Sequence, residues 1–329
     1  MDNLTHSLVG LMLARAVGSD RDKYLPATLV IAANIPDIDI VSGLGGALTY
    51  LQYHRSYTHA LVFAPGMALI PLLIVWAAVR ARISLRFYLW SLVAVFSHLV
   101  LDWTNAYGIR LFLPFSSRWL RLDQTDIVDP WILVVLLLAV AAPALSRLVS
   151  AEIGSRSGPG PQRGWAWFAL LVVLAYEGAR FAGHARALEV MNARLFNGEI
   201  AQRLVALPNR FDPFRWRGIA EGDGFVSIVP LDLNQPFDPG AGRIYYPTGP
   251  NPAIDAARGT RPFEVFGRFS QAKFWKVTPL PEGSRVELID LRFGTPDRPG
   301  FEAEALVDAA GNVRDARFGF GPLPVNSPN

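Results

Sequence analysis

Residues 60–79, ALVFAPGMALIPLLIVWAAV, run for twenty positions without a charged side chain. Wound as a helix at ~1.5 Å per residue, the run is about 30 Å long, the depth of one hydrocarbon core. Segments of similar character cover 85–103, 130–147 and 165–183. Several such runs in one chain call for lipid, and a composition of 51% hydrophobic residues agrees. The segment LTHSLVGLMLARAV (4–17) is apolar too. It follows the acidic start MDN, with no basic residue ahead and no small-residue cleavage site, so the expectation is a retained helix and not a signal peptide.

The net charge of +3 comes from 28 Arg and 3 Lys against 28 acids, without a basic block or basic residues interleaved with aromatics. That pattern removes nucleic acid as a partner. Cysteine is absent, which excludes disulfides, thiolate metal sites and a cysteine nucleophile. Any metal must be held by nitrogen and oxygen.

Breakers divide the chain. A helix near 4–18 turns at SDRDK (19–23) into a return helix near 24–35, which Pro36 is expected to end because the residue before a proline avoids helical angles. A Gly-rich loop (42–52), a helix from 59, the turn RARIS (80–84) and a return helix near 85–103 follow. A long loop (104–128) leads to two more spans joined by SAEIGSRSGPGPQRG (150–164), a linker by composition. Beyond about 186 the apolar runs shorten to strand length: GFVSIVPL, AKFWKVTPL, SRVELIDLRFG and FEAEALVDAAGNVRDARFGF, the last with a Gly311-Asn312 hairpin signal. From 185 onward, 17 basic residues balance 17 acidic ones, which implies no charged partner. The expected fold class is mainly α: a polytopic helical membrane bundle over 1–190 and a small β-rich, soluble domain over 191–329.

Orientation follows from basic residues in short loops. The turns at 15–23, 80–86 and 147–163 carry nine: Arg15, Arg21, Lys23, Arg80, Arg82, Arg86, Arg147, Arg156 and Arg163. The opposite loops carry four, Arg55, Arg110, Arg118 and Arg121. The excess places the turns in the cytoplasm, and the N-terminus, the longer loops and the β-rich domain on the outer, periplasmic face of a bacterial inner membrane.

On that outer face the polar residues gather. His6 opens the first helix, NIPDIDI places Asp37 and Asp39 at the end of the second, YHRSYTHA places His54 and Arg55 before the third and His59 at its start, and SHLVLD places His98 and Asp102 one turn apart on one face of the fourth. In two antiparallel hairpins those helix ends share one end of the bundle. THSLV (5–9) and THALV (58–62) agree at four of five positions, and threonine at a helix N-cap explains the shared residue. Plainer readings exist for each group alone: a capping histidine, a proline stop followed by an Asx turn, a structural His98–Asp102 pair. Arg55 can hold a phosphate or pair with an aspartate. Asn34, Asn105, Asp126 and Asp129 read as loop or cap residues, with Asp129 capping the span at Pro130; Glu177 and Arg180 read as an ion pair, and His184 as an interfacial residue. Together, ionisable groups beside membrane segments are costly and need partners.

Imidazole with carboxylate suits Zn²⁺, and also Mn²⁺ or Fe²⁺. Seven potential ligands, His6, Asp37, Asp39, His54, His59, His98 and Asp102, exceed what one ion with an open position needs, so two or more ions are expected. Paired ions can activate a water and neutralise charge on a phosphoryl or acyl oxygen without a serine or cysteine nucleophile. Asp37 or Asp39 is best placed to bridge, and a spare carboxylate or His54 can serve as general base.

T-H near the start, P-D-x-D, H-R-x-x-T-H and H-x-x-x-D, in this order amid apolar helices, resemble the membrane-bound metal-dependent hydrolases typified by YdjM, also described as LexA-binding and inner-membrane-associated. The resemblance covers roughly 1–190 and carries over His6, Asp37, Asp39, His54, Arg55, His59, His98 and Asp102. It implies an inner-membrane protein with metal-dependent hydrolase activity. More distantly, the His/Asp pattern is similar to the zinc-dependent phospholipase C and P1-nuclease group, which lacks a counterpart of the β-rich tail. The leading expectation is hydrolysis of an ester or phosphoester in a lipid or lipid-linked substrate, with Asp37, Asp39, His54 and Arg55 at the reacting centre and the bilayer as partner. A metal or proton transporter and a regulatory adaptor remain as alternatives.

Overall fold

A computed structural model describes residues 1–19, 21–152 and 162–323. The middle of the expected linker, with Arg156, lies outside the described residues, as does Asp20 of the first turn. The described chain is about half helical, with two small antiparallel sheets near its C-terminus. It forms two compact units, one of 1–39, 55–185 and 208–214, the other of 40–54, 186–207 and 215–329.

The first unit contains α1 (Asn3–Val17) and α2 (Leu25–Asn34), an antiparallel pair, followed by a 3-10 segment over Ile35–Gly45 whose start, through Asp39, belongs to this unit. Pro36 was expected to stop the chain's helical course. Instead it tightens it: α-helix gives way to 3-10 turns that carry Asp37 and Asp39, and Leu25–Gly45 becomes one apolar stretch long enough to span a membrane. The Gly-rich stretch expected as a loop winds, past those turns, into a short helix, α3 (Ala47–Tyr53), in the second unit.

Helices α4 (Ala64–Val79) and α5 (Leu85–Thr104) form the second pair, and α6 (Pro130–Glu152) and α7 (Gln162–Asn192) complete the helical part. Among the described residues, four stretches are long and apolar enough to cross a membrane: Leu25–Gly45, Leu61–Val79, Leu85–Thr104 and Gln162–Asn192. Lipid gives helices no hydrophobic reason to associate, so contact relies on close approach of small residues. Gly10 shows this: a Cβ there would stand 2.5 Å from the Leu29 carbonyl of α2. Ala64, Ala68 and Ala94 are fully buried, and the Ser91 hydroxyl of α5 donates to the Ala68 carbonyl at 2.7 Å.

Neither threonine of the THxLV echo caps its helix. Asp2 caps α1, its Oδ1 accepting from the N–H groups of Leu4 and Thr5 at 3.0 Å. Helix α4 starts only at Ala64, with Pro65 in its first turn, so His59 sits in a 3-10 turn ahead of the helix and not at its start. Asp129 does cap α6, Oδ1 accepting from Trp131 and Ile132.

In the second unit β1 (Arg203–Pro208), β2 (Arg215–Glu221), β3 (Val226–Asp232) and β4 (Arg243–Tyr245) form one sheet in sequential order. Helices α8 (Pro252–Arg258) and α9 (Arg261–Phe269) precede the second sheet, β5 (Lys273–Leu280), β6 (Gly283–Asp290), β7 (Phe301–Asp308) and β8 (Val313–Phe320). Every third residue of α9, Phe263, Phe266 and Phe269, is buried, with Phe263 stacked on Trp275 and Phe266 against Phe318. The hairpin expected at Gly311-Asn312 joins β7 to β8, with Gly311 at φ +85° and Asp308 Oδ1 accepting from Asn312 N.

Candidate metal centre

Four side chains meet inside the helical unit. Asp37 comes from the 3-10 segment, His59 from the turn before α4, and His98 and Asp102 from successive turns of α5; all four are buried. His59 Nε2 lies 3.1 Å from His98 Nε2, 3.4 Å from Asp37 Oδ1 and 3.3 Å from Asp102 Oδ2. His98 Nε2 lies 3.6 Å from Asp37 Oδ1 and 3.5 Å from Asp102 Oδ2. Ligands roughly 2.0–2.1 Å from a tetrahedral metal stand about 3.3–3.4 Å from one another. The five distances bracket that edge, and these residues could hold a metal ion.

Hydrogen bonding around the cluster leaves its facing atoms as acceptors. His98 Nδ1 is 2.7 Å from the Ala33 carbonyl, which can only accept, so Nδ1 carries the proton and Nε2 a lone pair. Pro36 has no N–H to offer that carbonyl three residues before it. His59 Nδ1 faces Thr58 Oγ1 at 3.0 Å and Asp39 Oδ2 at 3.3 Å. The Thr58 hydroxyl donates to Asp39 at 2.7 Å, leaving its own oxygen and the carboxylate to accept from His59. Two imidazole nitrogens and two carboxylate oxygens therefore face one another, and Asp37 Oδ1 and Asp102 Oδ2 have no hydrogen-bond partner.

Asp39 stands behind His59. It orients His59, the carboxylate–histidine arrangement that surrounds many metal sites. Arg55 adopts left-handed backbone angles (φ 54°), uncommon for a residue with a Cβ. That turn directs its N–H to Asp39 Oδ2 at 2.9 Å and its carbonyl to the Arg110 N–H, while its guanidinium reaches Asp102 Oδ1 at 2.8 Å and Asn105 Oδ1 at 3.1 Å over the Tyr107 ring. The amino group of Met1 also pairs with Asp102 Oδ1. One oxygen of Asp102 is thus occupied by cations and the other faces the histidines.

His6 lies beside the four, its ring stacked on His98 with centroids 3.8 Å apart and Nε2 3.4 Å from Asp102 Oδ1. His54 ends α3, its ring stacked on Tyr50 at 4.5 Å. Sequence reasoning missed Thr58, read as a cap, and the Ala33 carbonyl; a main-chain acceptor leaves no signal in residue types, but Pro36 is a hint to it.

Residues 1–187 match the family described as YdjM inner membrane protein. The chain belongs to this family. It is 33% identical over 159 residues to YfhP of Bacillus subtilis (strain 168), covering 43% of this chain and 46% of that protein. It is 35% identical over 124 residues to the inner membrane protein YbcI of Escherichia coli (strain K12), covering 35% and 68%. The match thus spans about half the length of YfhP. No solved structure matches. The matched region contains all eight motif residues and ends before the β-rich part begins.

Proposed function

We propose that this YdjM-family protein is a membrane-embedded, metal-dependent hydrolase of esters or phosphoesters whose substrate is a lipid or lipid-linked molecule. The observation that carries this reading is the set of four facing nitrogen and oxygen atoms of Asp37, His59, His98 and Asp102, spaced as tetrahedral ligands. Asp37, His59, His98 and Asp102 would hold one divalent ion, Zn²⁺ by donor set, with Mn²⁺ or Fe²⁺ as substitutes. Such an ion supplies Lewis acidity to an acyl or phosphoryl oxygen and a nucleophilic water at neutral pH. The two or more ions expected from the sequence would draw on Asp39, His6 and His54 as well.

The chain's own residues divide the remaining work. Asp39 and Thr58 hold the His59 proton on Nδ1, Ala33 does the same for His98, and Arg55 fixes Asp102. His6 and His54 are the candidates for moving a proton to or from the leaving group. The excess of basic residues in the short turns supports an outward-facing site, with the C-terminal region on the same side of the inner membrane.

A second reading, an ion that ties the helices together without chemistry, is favoured by the fact that four protein ligands complete a tetrahedron, the closed set of structural sites. Detergent-purified protein assayed for metal content and for hydrolysis of phospholipids and lipid-linked phosphates separates the two. The hydrolase reading expects one metal per chain, its loss in His59→Ala and Asp102→Ala, and turnover that falls at least tenfold in His54→Gln or His6→Gln. Stoichiometric metal without turnover on any ester supports the structural reading; wild-type protein without metal sinks both. Alkaline phosphatase fusions after Arg82 and after residue 200 test orientation, and activity at the first with none at the second reverses it.

A further inference from the structure

The connection between β1 and β2, residues 208–214, groups with the helical unit, not with the strands it joins. It is held there at three points. Arg210 forms a two-pronged pair with Asp126 at 3.3 and 3.2 Å, the Trp131 indole N–H donates to the Phe211 carbonyl at 3.0 Å, and Arg180 donates to the Pro213 carbonyl. Asn209 Oδ1 accepts from the N–H groups of Phe211 and Asp212, and Asp212 Oδ1 from that of Phe214, fixing the turn internally. A segment so firmly placed nevertheless turns two phenylalanines outward, Phe211 at 72% and Phe214 at 52% exposure.

Its anchor identifies the surroundings. Trp131 opens α6 and is 48% exposed, and Val134, Leu138 and Leu145 continue an exposed apolar stripe at helical spacing down the same helix. In an inner membrane protein such a stripe faces acyl chains, and a tryptophan at its end marks the boundary with the headgroups. The same end of α6 receives the 104–128 loop, which exposes Phe112 and Phe115. Within the segment Arg210 and Asp212 balance, so it offers apolar rings and no net charge to anionic lipid.

We propose that residues 208–214 form a membrane-dipping loop, with Phe211 and Phe214 seated at the boundary between headgroups and acyl chains beside Trp131. The partner is the bilayer itself, engaged through apolar area and insensitive to salt. This surface lies outside the family-matched region and stands whether or not the metal centre performs hydrolysis.

The absence of native cysteine makes the test clean. Phe211→Cys and Phe214→Cys, each the sole thiol, are spin-labelled in vesicles of phosphatidylethanolamine and phosphatidylglycerol, and accessibility to oxygen and to a neutral nickel chelate is measured. Leu137→Cys on α6 and Ala310→Cys in the β7–β8 hairpin give the lipid and water references; all four side chains or positions are exposed, so folding is undisturbed. The expected oxygen-to-nickel ratio at 211 and 214 exceeds that at 310 at least threefold, stays below that at 137, and is unchanged by 0.5 M salt, roughly a 4 Å screening length. A ratio equal to that at 310, or protection from both reagents as a protein partner or second copy would give, overturns the proposal.

Discussion

Buried charge is treated in opposite ways in the two units. In the β-rich unit, Asp290 and Arg292 are both buried, and the guanidinium donates to both carboxylate oxygens and to the Phe269 carbonyl while stacking on Phe269 and Phe293. Across the second sheet Lys276, Glu287, Glu304 and Arg317 stand in register on four neighbouring strands, with Lys276 pairing with Glu287 at 2.9 Å and Arg317 with Glu304 at 2.8 Å. Asp290, Glu287 and Glu304 each have a cation. In the helical unit Asp37 Oδ1 and Asp102 Oδ2 face two imidazoles without a hydrogen-bond partner, while Arg55 holds only the other Asp102 oxygen. Burial of charge alone therefore says little about function; a buried acceptor left without a donor points to a ligand.

The largest expected effect separates the units by stability. Asp290→Ala strands the Arg292 guanidinium and is expected to cost about 3–5 kcal/mol, read by urea unfolding in detergent, with metal content unchanged. Replacing both residues by leucine is expected to restore most of that loss. A cost under about 1 kcal/mol, the range of an exposed pair, breaks the comparison. A smaller effect sharpens it from the other side: Asp39→Asn weakens the hold on the His59 proton and is expected to lower metal affinity about 10–100-fold, measured by competition with a chelator. Unchanged affinity would remove Asp39 from the centre.

The smallest effect concerns Glu302, where the pairing in the sheet is least complete. Burial, with the carboxylates of Glu287 and Glu304 nearby, pushes its carboxyl from 4.5 up to about 7 against the opposing Leu323 N–H. The folded chain keeps this proton to higher pH than the unfolded chain does. Its contribution is therefore complete below about pH 4.5 and lost as pH rises through about 7. Glu302→Gln is expected to flatten that part of the stability profile, seen by unfolding the two proteins side by side between these limits.

The centre was legible because polar residues are conspicuous in an apolar chain. Two antiparallel hairpins with known ends were enough to bring Asp37, His59, His98 and Asp102 together, since helix direction fixes which ends meet. The division of labour was not legible: Asp39 and Asp37 differ by one residue between them and are identical in type, and only the 3-10 geometry turns one toward the lone pairs and the other toward His59 Nδ1. The Gly-rich stretch hid α3 because Gly43, Gly45 and Gly46 stand directly before the run ALTYLQY. Helix α9 had a readable signal, Pro262 behind Thr260 and phenylalanines three apart, that strand-like texture around it masked. Nothing in NRFDPF marks it as a segment that leaves its own sheet; that depends on Asp126 and Trp131, far away in the chain.

Pro36 has a consequence that reaches past its own turn. It has no N–H to compete for the Ala33 oxygen, which meets an imidazole from another helix, so a ring with no acid or base of its own bears on which nitrogen of His98 is basic. An alanine at 36 would bring a competitor for that oxygen. The centre would then keep every ligand in its sequence and still present a differently protonated histidine to its ion.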